Sequence, residues 1–108
     1  MKVVKNRFIP PRGFAYVNIF GVLFTRRDNS ISDKTINHEM IHTEQMKEML
    51  YIFFYLWYLI EWLIRLIILR DSHNAYRAIS FEREAYDNQE NLTYLECRKR
   101  YRWLSYLF

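Results

Sequence analysis

His38-Glu39-Met40-Ile41-His42, inside the run SDKTINHEMIHTEQMKE from Ser32 to Glu48, decides how this chain is read. Ser32 or Asp33 can cap a helix that starts beside it, because either side-chain oxygen accepts from the exposed N–H groups of a first turn. No Gly or Pro interrupts the chain from Lys34 to Arg70. On a helix, positions i and i+4 share one face, so the imidazoles of His38 and His42 can reach one metal ion. Glu39 lies one residue on. It flanks the ion and is placed to take a proton from water there as a general base. The pattern predicts a Zn2+ site with His38 and His42 as metal ligands and Glu39 as the catalytic residue.

A third protein ligand is sought downstream, where Phe81-Glu82-Arg83-Glu84-Ala85-Tyr86-Asp87 falls on an expected helix. The two pieces together, about 15 residues, resemble the gluzincin metallopeptidases. There an HExxH helix is followed by a second helix with an E-x-E-A-[DN] pattern, in membrane-bound prenyl-protein and heat-shock-type proteases and in soluble repressor-cleaving zincins. The chain is also similar to small bacterial HExxH proteins of comparable length. The resemblance implies that Glu82 is the third ligand, with Glu84 as the rival, and that Ala85 permits close helix packing. Tyr86 stands where Asp or Asn is usual, so the hydrogen-bond partner of the histidines changes. Gln45, one turn beyond His42, is a second candidate neighbour. His73, Tyr76 and Tyr86 are candidates to stabilise a transition state.

The bulk numbers frame this motif. A chain of 108 residues makes one domain, here 1–108, with a modest core. Hydrophobic residues at 51% exclude a disordered chain, and only two Gly and two Pro favour long regular elements. The net charge of +4 is scattered, with one dense run at Arg98, Lys99, Arg100 and Arg102. Scattered bases argue against nucleic acid as the main partner, whereas a basic chain with 19% aromatics suits an anionic membrane surface. The single Cys97 excludes an intrachain disulfide. Met1 to Arg12 holds charges and prolines but no apolar core of a signal peptide, so the expected location is the cytoplasm or the cytoplasmic membrane, peripheral or integral.

The expected fold class is α+β, mostly α. Pro10-Pro11-Arg12-Gly13 reads as a breaker, and Phe14 to Thr25 as one strand or two short ones with Gly21 at the bend. Arg26 to Ser32 reads as a polar loop. The HExxH helix follows, then an apolar helical segment at 49–69, a turn at Asp71-Ser72-His73-Asn74, a Glu-bearing helix from Ala75 to Glu90, and a basic, aromatic helix from Thr93 to Phe108. This order suits a minimal zincin-like core.

One geometric conflict constrains the middle. A straight helix over 34–69 would run ~53 Å, and Leu50 to Leu69 has the length of a bilayer span. A helix returning from its far end would leave Glu82 ~30 Å from His42. The expectation is therefore a break near Trp57 to Trp62, giving a helical hairpin over 43–70. On a 100° wheel, His38, His42 and Gln45 continue into Met49, Ile52, Phe53 and Leu56, with Tyr51, Tyr55 and Tyr58 opposite. Glu61 and Arg65 are spaced as an i, i+4 ion pair.

Two functions follow as expectations. One is a zinc metallopeptidase-like enzyme acting on a peptide or protein substrate, with the Phe14 to Thr25 strand presenting its edge. The other is non-enzymatic: a small metal-stabilised protein, membrane-associated or homo-oligomeric, with a structural zinc.

Overall fold

Ser32 does cap the central helix. Its hydroxyl accepts from the Thr35 N–H at 3.2 Å, and α1 runs Asp33–Glu48. Such a cap is worth about 1 kcal/mol. The computed structural model describes residues 1–8, 16–26 and 31–107. Within them lie five α-helices, a short 3-10 helix and a three-stranded sheet, an α+β arrangement dominated by helix.

The β-branched and aromatic run yields two strands, β2 (Tyr16–Ile19) and β3 (Val22–Arg26). Phe20 and Gly21 join them with positive φ at both positions, +51° and +90°, as a tight hairpin with the native twist requires. Gly21 is thus the bend, and a Cβ there would sit 3.2 Å from Thr43 Cγ2 of α1. Phe14, Ala15 and the breaker at 10–13 lie outside the described residues, as does most of the expected loop at 26–32. An additional strand, β1 (Lys2–Asn6), pairs parallel to β3, so the sheet order is β1-β3-β2. Sequence reading gave residues 1–13 no strand. The five residues Lys-Val-Val-Lys-Asn do not alternate and carry no strand pattern, and their partner lies about twenty residues away. β2 is an edge strand, tied to α1 by Asn18 Nδ2, which donates to Glu39 O at 3.1 Å.

The expected break at Trp57 to Trp62 is not where the chain turns. Helix α2 runs unbroken over Ile52–Leu69, and the break falls at Met49 to Tyr51. Leu50 and Tyr51 both have positive φ, 53° and 59°, and the Tyr51 N–H reaches back to Met46 O at 2.7 Å. Non-glycine residues there cost about 1–3 kcal/mol each. Burial repays it: Phe54 stacks on Phe81 with centroids 4.5 Å apart, and both join Met46, Ile79 and Trp103 in the core. A helix of ~53 Å is thereby avoided in a molecule whose longest dimension is 37 Å. The break also resets the helical wheel. Ile52, Phe53 and Leu56 face outward instead of continuing the metal face, whereas Phe54, Tyr55 and Tyr58 turn inward.

Asp71 caps α3 (Ser72–Ala78), so the expected turn at 71–74 is largely a helix start. The helix expected over Ala75 to Glu90 is broken at Ile79, an extended residue, after which α4 runs Ser80–Asn88. Glu61 explains the kink. Its carboxylate accepts from Ser80 N at 2.9 Å and Ser80 Oγ at 2.5 Å, capping α4 from another helix, and from Trp57 Nε1 at 2.6 Å. Glu61 is therefore not paired with Arg65, which donates to Leu107 O at 2.9 Å.

The C-terminal segment is not one helix. A short α5 (Tyr94–Cys97) and a 3-10 helix (Arg102–Tyr106) flank an extended Arg98. Arg98 is held at 2.6 Å by Glu84 and at 2.9 Å by Glu48, with its side chain 5% exposed. Helix continuation loses to that buried double ion pair.

If the break is at 49–51, Leu50→Gly relieves a positive-φ leucine that is 70% exposed. The expected outcome is a gain of about 0.5–1 kcal/mol, read as a higher urea midpoint at unchanged slope. A loss of that size, normal for Gly inside a continuous helix, would move the break elsewhere.

Candidate metal centre

The Ser32 cap sets the phase of α1 so that His38, Glu39 and His42 are all buried on the side facing α4 and the β2 edge. The Glu61 cap sets α4 so that Glu82, on its first turn, points back at both imidazoles. Glu82 Oε1 lies 3.2 Å from His38 Nε2 and 3.1 Å from His42 Nε2, and the two Nε2 atoms are 3.1 Å apart. The three residues are 4–5% exposed.

The outer ring nitrogens are fixed by glutamines. His38 Nδ1 is 2.8 Å from Gln89 Oε1, and His42 Nδ1 is 2.8 Å from Gln45 Oε1. Gln45 cannot be turned around, because its Nε2 donates at 3.0 Å to Phe81 O and at 3.0 Å to Glu84 Oε1, which only accept. Its Oε1 therefore accepts from an Nδ1–H, leaving Nε2 of His42 with its lone pair directed at Glu82 unless protonated. Glu84 is thus not at the convergence point. It is fully buried and anchors Gln45 on one side while accepting from Arg98 and from Tyr94 Oη at 2.7 Å.

Two imidazole nitrogens and a carboxylate oxygen at mutual distances of 3.1–3.2 Å demand a shared cation, either a proton or a metal ion. Burial alone would drive His42 towards neutrality, but the Glu82 carboxylate and its hydrogen bond outweigh this and hold it up to about 9. Burial would likewise raise Glu82, and the two histidines hold it well below the usual carboxylate range. Burial pushes the Glu39 carboxyl up, with His42 and His38 opposing. Glu39 Oε2 is buried with no hydrogen-bond partner.

A cavity of about 530 Å3 opens beside these groups. Glu39, His42 and Glu82 line it, with Tyr16 and Asn18 of β2, Tyr58 of α2 and Tyr76 of α3. Tyr58 Oη donates to Glu82 Oε2 at 2.7 Å, turning the other carboxylate oxygen towards the histidines. Tyr16 is pushed up to about 12, by burial first and then by Glu39, and so remains a proton donor at neutral pH.

The remaining expected residues are distributed unevenly. Tyr86 touches the site through its ring, edge-on to His38 at 4.7 Å, with Arg77 over it at 3.7 Å; its hydroxyl meets Tyr76 Oη at 2.9 Å. It does not supply the hydrogen bond that Asp or Asn would, and Gln89 does so instead. His73 is exposed in the first turn of α3 and is not among the cavity residues. Sequence reading missed Gln89, Tyr58, Tyr16 and Asn18. Only Gln89 carried a signal, seven residues beyond Glu82 and so on its helix face. Asn37 fixes it there, donating to Asn88 O, Gln89 O and Asn91 O.

No protein-family model, curated protein or solved structure significantly matches this chain.

The metal-free protein has a definite pH signature. The raised His42 contributes stability fully below its ordinary 6.5 and loses it as pH rises through about 9. The lowered Glu82 contributes fully above its ordinary 4.5 and loses it as pH falls below that. Chelator-treated protein should show its highest urea midpoint between these values, and His42→Ala should abolish the alkaline decline. An alkaline decline that survives His42→Ala would show that another group produces it.

Proposed function

We propose that the protein is a zinc-dependent metallopeptidase-like hydrolase of gluzincin type, with His38, His42 and Glu82 as ligands and Glu39 as general base. The observation that carries this reading is the convergence of three donor atoms beside an unpartnered buried carboxylate oxygen. The donor set fits the ion: a tetrahedral zinc with bonds near 2.0–2.1 Å spaces its ligands about 3.3 Å apart, close to the 3.1–3.2 Å found here. Among the described residues the cluster holds three ligands and adjoins a cavity, which favours a catalytic over a closed structural site.

When bound, zinc supplies a Lewis acid that polarises a carbonyl oxygen and eases deprotonation of water. The chain's own residues do the rest. Glu39 takes a proton from the water that attacks the peptide carbonyl carbon, then passes it to the nitrogen as the C–N bond breaks. Its raised pKa makes it a fitting carrier in both directions. Tyr16 and Tyr76 border the same cavity and offer hydroxyl donors to negative charge developing on the carbonyl oxygen. β2, at the sheet edge, offers main-chain groups to an extended peptide. Gln45 and Gln89 hold the imidazoles, and Arg98 holds Glu84 behind Gln45.

Metal analysis with activity assays separates these roles. Wild type should carry about one zinc per chain; His42→Ala and Glu82→Ala should carry none; Glu84→Gln should keep zinc at an affinity reduced ~10–100-fold. Glu39→Gln should keep the metal but lose peptide hydrolysis by ~100-fold or more. Full zinc retention in Glu82→Ala, or unchanged hydrolysis in Glu39→Gln, would refute the corresponding role.

A further inference from the structure

Helix α2 is inverted relative to a soluble helix. Its mean hydropathy is 1.9, yet Phe54 and Glu61 are its only buried residues. Every exposed residue from Ile52 to Leu69 is apolar. At 100° per residue, those up to Ile68 sweep an unbroken arc of about 180°, centred near Ile60. The polar groups occupy the other half and are all engaged: Tyr55 with Asn18 O, Tyr58 with Glu82, Glu61 with Ser80, Arg65 with Leu107 O.

We infer that this face lies in the surface of an anionic phospholipid bilayer, with α2 parallel to the membrane plane and the cleft held beside it. Three features select this occupant. The arc is wider than the a/d stripe that a paired helix covers, and the flanking positions, charged in a coiled coil, are here Trp57, Leu59 and Ile64. The inner face is bonded to the rest of the domain along its length, and α3 beside it exposes His73, Asn74 and Arg77; lipid cannot surround α2, which rules out a span. Each end of the face carries a cation. Arg70 ends the helix exposed, next to the Asp71 that caps α3, and at its start Arg100 lines a groove with Leu50 in which Lys47 pairs with Glu44 and Arg98 with Glu48. Cations flanking an apolar face, with Trp57 and Tyr101 part-exposed beside it, match headgroup phosphates above acyl chains.

This inference is independent of the metal reading, and its test needs no activity. The full chain, purified in mild detergent, is dialysed with vesicles of phosphatidylcholine and phosphatidylglycerol, or of phosphatidylcholine alone, and floated on a density gradient. Wild type should float with the anionic vesicles with blue-shifted tryptophan emission. Paired Ile60→Glu and Ile64→Glu, at sites 48% and 51% exposed, should weaken flotation more than ~tenfold with circular dichroism unchanged. Paired Arg70→Gln and Arg100→Gln should weaken binding to anionic vesicles ~tenfold and leave neutral vesicles unaffected. Recovery outside the vesicles overturns the inference, whether as a monomer, as an aggregate, or as a dimer that the paired Glu variant splits. The dimer outcome would assign the face to a second copy.

Discussion

One carboxylate oxygen, Glu82 Oε1, within 3.2 Å of two imidazole nitrogens, governs much of the rest of the chain. Removing three polar groups from water costs several kcal/mol unless each is satisfied. The molecule answers with concentric polar support. Tyr58 takes the second oxygen of Glu82, and Gln89 and Gln45 take the outer nitrogens. Glu84 then fixes Gln45 and is itself neutralised by Arg98. The chain from Arg98 to His42 draws on α1, α4 and the segment after α5, so a C-terminal arginine helps to set the tautomer of a histidine far away in sequence.

Bringing residue 82 back to residues 38 and 42 is a backbone problem, solved by two departures from helix. The first, at Met49 to Tyr51, costs strain at a leucine and a tyrosine held at positive φ. The second, at Ile79, re-aims α4 after α2 and the much shorter α3, and Glu61 supplies the N-terminal cap that α4 lacks in its own sequence. Phe54 and Phe81 lie beyond these respective bends, and their stacking joins both in one core. Closure of the chain and burial of the site are thus the same event.

The α1 cap, the HExxH face, Gly21 at the hairpin bend and the α+β class were legible because each rests on local chemistry: a hydroxyl at an N-cap, i, i+4 spacing, the freedom of glycine, β-branched residues. The need for a break in the apolar segment was also legible, from helix rise alone. Its location was not, since Leu50 and Tyr51 bear no mark of positive-φ backbone and their conformation is imposed by tertiary packing. The same limit hid β1, whose pairing is long-range. It also made Glu61 and Arg65 look like partners, when each finds a better one outside its helix. Only the resemblance ranked Glu82 above its rival Glu84 in the sequence, and the direction of α4 places Glu82 towards the histidines and Glu84 towards Arg98.

The two faces of α2 follow from one constraint. In a soluble helix the apolar stripe faces the core and charge faces water. Here the inward face must serve Glu82, cap α4 and hold the C-terminal strap, so it carries Tyr58, Glu61 and Arg65. An inward face committed to hydrogen bonding leaves much of the helix's apolar surface outside. None of the described elements covers it. The polar interior and the apolar exterior are therefore one design. The buried ionic centre and the exposed apolar surface each account for the composition of the half of α2 that forms it.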